Sequence, residues 1–358
     1  MAEIETHRFP CGTCGSDLRY AAGERLLRCD HCGAEQALGR PSPWDQASVA
    51  ELSFAQAIAQ EIPESAMEET RVVSCTSCGA QVEFDRDEHS AECPFCASPV
   101  VTDTGTHRHI KPRGVLPFLI DHGGGRDALR RWLKGLWFAP NALKDYARSD
   151  ERMQGIYMPF WTFDAQADAS YRGQRGTVHT RTVGHGDNRR TVSETRWRPV
   201  SGRISHFFDD MLVRGSNTLP EDHVRRIENF DLTALEPYRP EFLAGFRAEG
   251  YSIDLPTARI AADQAFDAGM RQLVRRDIGG DKQRIDRLDM QLSNVTFKHV
   301  LLPVWIAAYR FRGKSYRFVV NARTGEVAGE RPYSPWKIAF AVILGLIAAG
   351  IFAYFYTR

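Results

Sequence analysis

The stretch CGTCGSDLRYAAGERLLRCDHCG, residues 11–33, decides how the chain begins to fold, because it places two Cys-x-x-Cys pairs 14 residues apart. The same spacing returns in residues 75–96, where every cysteine lies 64 positions after its counterpart (75 minus 11, 93 minus 29). The eight cysteines of the chain are Cys11, Cys14, Cys29, Cys32, Cys75, Cys78, Cys93 and Cys96. The N-terminal region is therefore duplicated, and the 262 residues after Cys96 (358 minus 96) contain no cysteine.

Four thiolates from two Cys-x-x-Cys knuckles make the tetrahedral shell of sulfur ligands that zinc favours. Gly15, Gly33 and Gly79 directly follow the second cysteine of a pair, where a positive φ lets backbone N–H groups turn toward the thiolates. Between the knuckles, residues 17–29 and 81–93 each have the pattern of a short strand, a turn and a returning strand. The eight cysteines are therefore predicted to bind two zinc ions (Zn2+), one in each of two small zinc ribbons.

Other uses of the cysteines are less consistent with the sequence. The first ten residues, MAEIETHRFP, lack the apolar segment of a secretory signal, so we expect a reducing cytoplasm in which structural disulfides do not persist. A thioredoxin-like redox site needs one Cys-x-x-Cys pair, whereas this chain has four in matched sets. An iron site with the same four sulfur ligands stays open, because spacing alone does not distinguish iron from zinc.

Composition says little about partners. The chain has 358 residues, 43% of them hydrophobic, so it can bury a sizeable core. Its 46 Lys and Arg nearly cancel its 45 Asp and Glu, so attraction to nucleic acid or lipid depends on local clusters. Neither ribbon carries the basic stripe expected of a protein that binds the phosphate backbone, and the second ribbon is acidic.

Residues 338–356, IAFAVILGLIAAGIFAYFY, are 19 consecutive uncharged residues near the C-terminus. At about 1.5 Å per residue, a helix of this length spans roughly the hydrocarbon core of a bilayer. A buried helix of a soluble protein usually has a polar stripe, which is missing here. Trp336, Lys337, Tyr354 and Tyr356 flank the run, as at the two water interfaces. We predict a single-pass anchor in the cytoplasmic (inner) membrane, with the preceding chain in the cytoplasm.

The middle of the chain has the pattern of an α+β body built on antiparallel sheet. The local patterns are a short amphipathic helix opened by Asp45, a strand at 114–120, a turn and helix at 123–140, strands at 155–173 and a helix at about 256–278. YMPFW, residues 157–161, is echoed by LLPVW, residues 301–305. The echo is typical of an internal duplication of the body, although two independent strands also produce it by chance.

Residues 172–203 carry eight arginines against Asp187 and Glu194. Such a hairpin can face anionic lipid or nucleic acid, and a solvated pair of strands explains it equally well. Enzyme motifs fail: Gly313-Lys314-Ser315 is similar to the end of a phosphate-binding loop, but Ala308 stands where that loop requires glycine. We therefore expect no catalytic residue and no enzymatic activity. An enzyme in the central α+β body stays open as a weaker alternative, and it requires catalytic residues dispersed along the chain.

The paired runs CGTCG…CDHCG and CTSCG…CPFC, then YMPFWTFDA, TRWRPVSG, LLPVWIAAYRFRGKSYRFVVNARTGEVAGERP and the apolar C-terminal run, resemble a bacterial family of membrane-anchored proteins. Its members carry zinc ribbons of the transcription factor IIB type, and the resemblance covers nearly the whole chain. It implies zinc at the eight cysteines and a role in membrane-stress or envelope-maintenance assemblies. Ala97 stands where the other knuckles have glycine.

Members of that family are often labelled primosomal replication factor or superfamily II helicase proteins. This sequence has no helicase phosphate-binding loop, and its body is too short for two motor domains. We therefore expect that the chain is not a helicase.

The sequence thus divides into zinc ribbon 1 (1–38), a helical connector (39–70), zinc ribbon 2 (71–103), the α+β body (104–335) and the anchor (336–358). The function expected is a non-enzymatic, tail-anchored adaptor that recruits a cytoplasmic or membrane protein, with membrane lipid contacted by the C-terminal helix. The alternative is a membrane-tethered protein that binds nucleic acid, which the charge of the ribbons does not favour.

Overall fold

The computed structural model describes residues 9–39, 49–59, 62, 66–83, 90–96, 98–101, 105–137, 153–183, 190–311, 314–330 and 334–356. The strands are β1 (Leu18–Tyr20), β2 (Leu26–Cys29), β3 (Glu35–Ala37), β4 (Leu52–Ser53), β5 (Met67–Ser74), β6 (Gln81–Glu83), β7 (Ser90–Glu92), β8 (Pro99–Val101), β9 (Gly105–Ile110), β10 (Gly114–Val115), β11 (Met153–Val183), β12 (Arg190–Arg214), β13 (Glu236–Pro237), β14 (Arg247–Ala248), β15 (Lys282–Phe311), β16 (Lys314–Asn321) and β17 (Val327–Gly329). The helices are α1 (Phe54–Ile58), α2 (His122–Lys134), α3 (Glu221–Ile227), α4 (Leu255–Ile278) and α5 (Pro335–Tyr356). The chain is thus mixed helix and sheet, with mainly antiparallel pairing, as predicted.

Three unusually long antiparallel strands carry the body, in the order β12, β11, β15. β11 has 31 residues and β15 has 30, so each reaches roughly 100 Å at about 3.3 Å per residue. We call the outer part of this sheet the arm; it comprises residues 166–183, 190–207 and 282–293. α4 packs along one face of the arm, and its buried side chains include Ala258, Ala262, Phe266, Met270, Val274 and Ile278, spaced four apart.

The two echoing segments of the sequence are direct neighbours in this sheet. Met158 of β11 pairs with Leu302 of β15, which stands at the same place in the other segment. A local two-fold axis therefore passes between these two residues. The short strand β14 runs parallel to β11 at Ile156, and β10 runs parallel to β15 at Val300, which are equivalent positions under that axis.

The N-termini of two helices and the contacts of two buried indoles are also related by this local two-fold axis. Asp121 caps α2 seven residues after β10 begins (121 minus 114), and Asp254 caps α4 seven residues after β14 begins (254 minus 247). The indole N–H of Trp161 donates to the Ile253 carbonyl at 3.0 Å, and that of Trp305 donates to the Ile120 carbonyl at 2.9 Å. Each half of the body thus makes the same contact to the other.

Trp161→Phe and Trp305→Phe are each expected to lower the free energy of unfolding by about 1–3 kcal/mol, because each leaves an interior carbonyl oxygen without its donor. Urea denaturation of the full chain in detergent, followed by circular dichroism, measures the loss. Trp197→Phe is the control, since Trp197 is 38% exposed and its loss should cost less than about 0.5 kcal/mol. A cost confined to one of the two interior indoles would contradict the equivalence of the contacts.

The first cysteine module, residues 9–39, is packed into the body. Its β1, β2 and β3 form a three-stranded antiparallel sheet. Tyr20 and Leu27 are buried in one cluster with Phe118 and Trp305 of the body. The Tyr20 N–H donates to the Ala244 carbonyl at 2.9 Å. The module therefore shares its apolar core with the body.

The second cysteine module, residues 66–101, packs on the opposite face of the sheet. Val82 and Phe95 are buried in one cluster with Leu116 and Met158 of the body. Tyr157, the residue before Met158 on β11, lies in the cluster of the first module instead. β6 pairs with β5, and β7 pairs with β8. The predicted hairpin between β6 and β7 runs through residues 84–89, which lie outside the described residues.

Two predicted elements differ from the structure. The connector helix is only five residues long, Phe54–Ile58, because Leu52 and Ser53 pair with β15 and the Ser53 hydroxyl then caps the helix. Asp45 lies outside the described residues. α2 starts before the predicted turn and includes the glycine run, because the Asp121 carboxylate accepts the Gly124 N–H at 2.8 Å.

α5, Pro335–Tyr356, contains the apolar run found in the sequence. Residues 336–356 have a mean hydropathy of 2.5, and none of this segment is buried against the rest of the chain. Among the described residues it is the one helix long and apolar enough to cross a membrane. A core helix of a soluble protein would instead be mostly buried.

Candidate metal centres

All four Cys-x-x-Cys knuckles share one backbone pattern. The N–H of the first cysteine donates to the carbonyl oxygen five residues later: Cys11 to Ser16 at 2.7 Å, Cys29 to Ala34 at 2.9 Å, Cys75 to Ala80 at 2.8 Å and Cys93 to Ser98 at 2.8 Å. Gly15, Gly33 and Gly79 have φ of 77°, 73° and 74°, which confirms the predicted positive φ. A side chain at these positions would strain the turn.

The eight predicted cysteines come together as two groups of four, in each of which the four Sγ atoms lie within 4.8 Å of one another. The closest Sγ–Sγ distances are 3.5 Å for Cys11–Cys32, 3.5 Å for Cys14–Cys29, 3.6 Å for Cys75–Cys96 and 3.7 Å for Cys78–Cys93. None of the eight forms a disulfide, because a disulfide needs an Sγ–Sγ distance of about 2.05 Å. Zinc–sulfur bonds of about 2.3 Å give a tetrahedron with edges of roughly 3.8 Å, so both groups are compatible with a zinc ion.

Each group has cysteines whose surroundings favour the thiolate, which is the form that binds metal. The N–H groups of Thr13 and Cys14 lower the pKa of the Cys11 thiol to about 6. A hydrogen bond from Cys93 lowers the pKa of Cys78 to about 5. These are the shifts that backbone and thiol donors aimed at sulfur produce.

The two groups differ in their exposure. In the first group Cys14 and Cys32 are exposed, whereas in the second group Cys78 is half-buried and the other three cysteines are buried. The first centre therefore has one side open to water, and the second lies inside the contact between module and body.

Glu249 lies at the contact between the second module and the body, where it forms a backbone bridge with Val82. Its side chain is 2% exposed and accepts hydrogen bonds from the Ser216 hydroxyl at 2.5 Å and from the Thr218 hydroxyl. Burial raises the pKa of Glu249 to about 7. No local sequence pattern marks Glu249 as buried. Its one signal is that the equivalent residue of the other half of the body, Leu116, is apolar.

A cluster of charged groups in the middle of the sheet is also not evident from any local sequence pattern. Carboxylate oxygens of Glu51, Asp164 and Asp210 lie within 4.8 Å of one another. The Lys298 Nζ lies 3.1 Å from Glu51 and 2.8 Å from Asp210, so a cation of the chain already compensates their charge. The cluster attaches the connector to β11, β12 and β15, and we do not assign it as a metal centre.

Asp164 gives the fold a pH dependence. Burial, and then hydrogen bonding with Glu51, raise the pKa of Asp164 to about 8, against about 3.9 in the unfolded chain. The folded state thus keeps a proton that the unfolded state releases. This carboxyl contributes its full stabilisation below about pH 4, and the contribution is lost as the pH rises toward about 8.

Asp164→Asn is therefore expected to flatten the decrease in unfolding free energy between pH 5 and pH 8, because an amide does not titrate. Urea denaturation of the full chain in detergent at four pH values measures the slope. Asp168→Asn is the matched control, because Asp168 is an exposed carboxyl on the same strand. Identical pH slopes for the parent chain and Asp164→Asn would rule out this role of Asp164.

Comparison with known proteins adds one relative. No family model matches the chain, and no solved structure matches it. A protein of Bacillus subtilis (strain 168) named "Uncharacterized protein YdjG" is 25% identical over 232 residues, which are 64% of this chain and 67% of that protein. That name states no activity.

Proposed function

We propose that the chain is a non-enzymatic, tail-anchored adaptor, held together by two zinc ions, that brings a second protein to the membrane surface. One observation carries the proposal: the two cysteine modules pack on opposite faces of one sheet, one module on each face. That sheet continues through β16 and β17 toward α5. A partner bound anywhere on this unit would be held near the bilayer. A role in membrane stress or envelope maintenance fits such a unit.

The two modules are, on this proposal, zinc ribbons. In the first module, β1 and β3 have only three residues each. A module with strands this short gains too little from burial to be stable without a cross-link. Zinc would supply the missing stability as a structural cross-link between the knuckles, because binding energy at such a site is folding energy. Its ligands would be Cys11, Cys14, Cys29 and Cys32 in one ribbon and Cys75, Cys78, Cys93 and Cys96 in the other.

The body is, on the same proposal, an internal duplication of a unit of strand, helix and two strands. Its first copy is β10, α2, β11 and β12, and its second is β14, α4, β15 and β16. Asp254 follows Asp121 by 133 residues, and Ile253 follows Ile120 by the same 133. The reciprocal hydrogen bonds of the two indoles support this origin, because unrelated halves would have no reason to exchange equivalent contacts.

α5 would be the single membrane span. Its 22 residues rise about 33 Å as a helix, close to the roughly 30 Å of a bilayer's hydrocarbon core. Lys337 at its start fits a cytoplasmic side for the modules and the body, because basic residues favour that side. The membrane would then be the inner membrane of a bacterial cell.

Proximity labelling in cells tests the adaptor proposal. The full chain carries a biotin ligase at its N-terminus, and the control is the same fusion with Leu346→Arg and Ile347→Arg in α5. We expect a small set of proteins labelled by the parent fusion and lost in the control. Equal labelling by both fusions would contradict recruitment to the membrane.

The alternative, a membrane-tethered protein that binds nucleic acid, is favoured by one observation, the arginines of the arm. Binding of DNA and RNA oligonucleotides to the full chain in detergent, measured over a salt series, tests it. Tight binding that weakens steeply with salt would support the alternative and contradict the adaptor.

A further inference from the structure

One face of the arm is covered by α4, and within the described residues no element covers the other, which we call the open face. Gly173 marks the covered side, since a Cβ there would lie 3.0 Å from the Ile278 side chain. Gly176 marks the open side, since a Cβ there would lie 3.0 Å from the Trp197 ring and 3.1 Å from Lys282. Alternation along the strands assigns the remaining side chains to one face or the other.

The arm is strongly basic in a chain whose net charge is only +1. Its described residues include ten Lys and Arg: Arg172, Arg175, Arg181, Arg190, Arg196, Arg198, Arg203, Lys282, Arg284 and Arg287. Its four Asp and Glu are Asp168, Glu194, Asp286 and Asp289. Alternation places five of the cations on the open face: Arg172, Arg203, Lys282, Arg284 and Arg287. Asp168, Asp286 and Asp289 share that face, so its excess is two positive charges (5 minus 3), and the other cations lie on the side that carries α4.

Several of these charges project from the open face without ion-pair partners. Arg172 stands opposite Ser201 on one side and Arg287 on the other, and Arg203 stands opposite Ser170. The charge of Arg287 is compensated by an ion pair in which its Nε lies 2.7 Å from Asp289 Oδ2. Within the described part of the chain, Arg172, Arg203 and Lys282 form no ion pair.

Two large aromatic side chains lie on the same face. Trp197 is 38% exposed and Phe207 is 52% exposed; they are ten residues apart (207 minus 197) along β12, so both point the same way. The Arg284 guanidinium lies 5.3 Å from the centre of the Trp197 ring. Tryptophan is enriched at membrane–water interfaces, and a guanidinium over its ring adds a cation–π contact.

We propose that the open face of the arm docks on an anionic lipid surface. The cations of the open face complement acidic headgroups. Trp197 and Phe207 on the same face add apolar contact with the interface of the bilayer. The anchor makes the contact intramolecular: α5 begins within six residues of the end of β17 (335 minus 329). β17 joins through β16 to residues 304–311 of β15, at the end of that strand away from the arm, so the docked sheet lies along the bilayer surface. This docking rests on α5 as the anchor but needs no protein partner.

Fluorescence of Trp197 in reconstituted vesicles tests the docking. The full chain is inserted into vesicles of acyl-brominated phosphatidylcholine, alone or with about 30% acyl-brominated phosphatidylglycerol, and the signal of Trp197 is the difference between the parent chain and Trp197→Phe. We expect this signal to fall at least about twofold in the anionic vesicles only. In 0.5 M NaCl the quenching should be lost, because salt screens exposed charges.

Two triple variants that remove the same number of charges, one on the open face and one on α4, test which side of the arm causes the quenching. Arg172→Gln, Arg203→Gln and Lys282→Gln together remove open-face charge while Arg284 stays beside Trp197, and this variant should lose the quenching. Arg271→Gln, Arg275→Gln and Arg276→Gln together remove the same charge from α4 and should keep it. The second variant also shows whether loss of net charge alone matters.

Equal Trp197 signals in neutral and anionic vesicles would overturn the docking. A Trp197 signal that responds to a single-stranded oligonucleotide but not to phosphatidylglycerol would overturn it in favour of nucleic acid. Flotation of the chain with both kinds of vesicle reports on α5 separately: failure to float with either would overturn the anchor and the docking together, whereas flotation without quenching would overturn the docking alone.

Discussion

Cys11→Ser is expected to remove one of two zinc ions from the chain, and Cys75→Ser is expected to remove the other. Three thiolates hold a structural zinc ion far less tightly than four, and metal binding at such a site contributes about 10–16 kcal/mol to folding in small zinc peptides. The affected module should therefore unfold. Mass spectrometry of metal content, on the full chain purified in detergent, measures the number of ions.

The packing of the modules makes the consequence larger than the loss of one small domain. Leu27 of the first module and Phe95 of the second are fully buried in clusters that also contain body residues. Hydrogen exchange should therefore accelerate in the module and in the part of the body beneath it, and not in the outer arm. Retention of both ions in either variant would contradict the assignment of ligands.

His31→Ala is the matched control for the first centre. His31 lies between the two cysteines of a knuckle, and its side chain is exposed, while four thiolates already complete the shell. The variant should keep both ions. Loss of an ion in this variant would mean that His31 is a ligand.

Leu346→Arg with Ile347→Arg is expected to remove the chain from the membrane. Each substitution replaces an apolar residue near the middle of α5, at a cost of about 3–4 kcal/mol for insertion, and the two together outweigh what most single spans gain. Fractionation of cells should move the protein from the membrane to the soluble or aggregated fraction.

Leu346→Phe with Ile347→Phe is the control for α5, because it changes shape at the same positions without adding charge. This variant should stay in the membrane fraction. If the double arginine variant also stayed there, membrane association would come from another part of the chain, and α5 would not be the anchor.

The cysteine groups and α4 were predictable because their signals are local. A fixed spacing of cysteines, with a glycine after three of the four pairs, specifies a knuckle without reference to the rest of the chain. α4, Leu255–Ile278, carries its own cap and a repeat of small and apolar residues. In both cases the residues that determine the structure lie within one segment.

Other features depend on contacts between distant segments, and the sequence pattern did not reveal them. Asp164, Asp210 and Glu51 meet only because three strands and the connector converge. Glu249 is buried by the second module. The connector helix was predicted too long because pairing of Leu52 with β15 outweighs local helix propensity.

The most direct test of the central claim, two zinc centres that hold the modules on the body, is X-ray absorption at the zinc edge combined with metal content of the full chain. The account predicts two zinc ions per chain, each with four sulfur neighbours at about 2.3 Å. Fewer than two ions, iron in place of zinc, or nitrogen or oxygen in the first shell would contradict it.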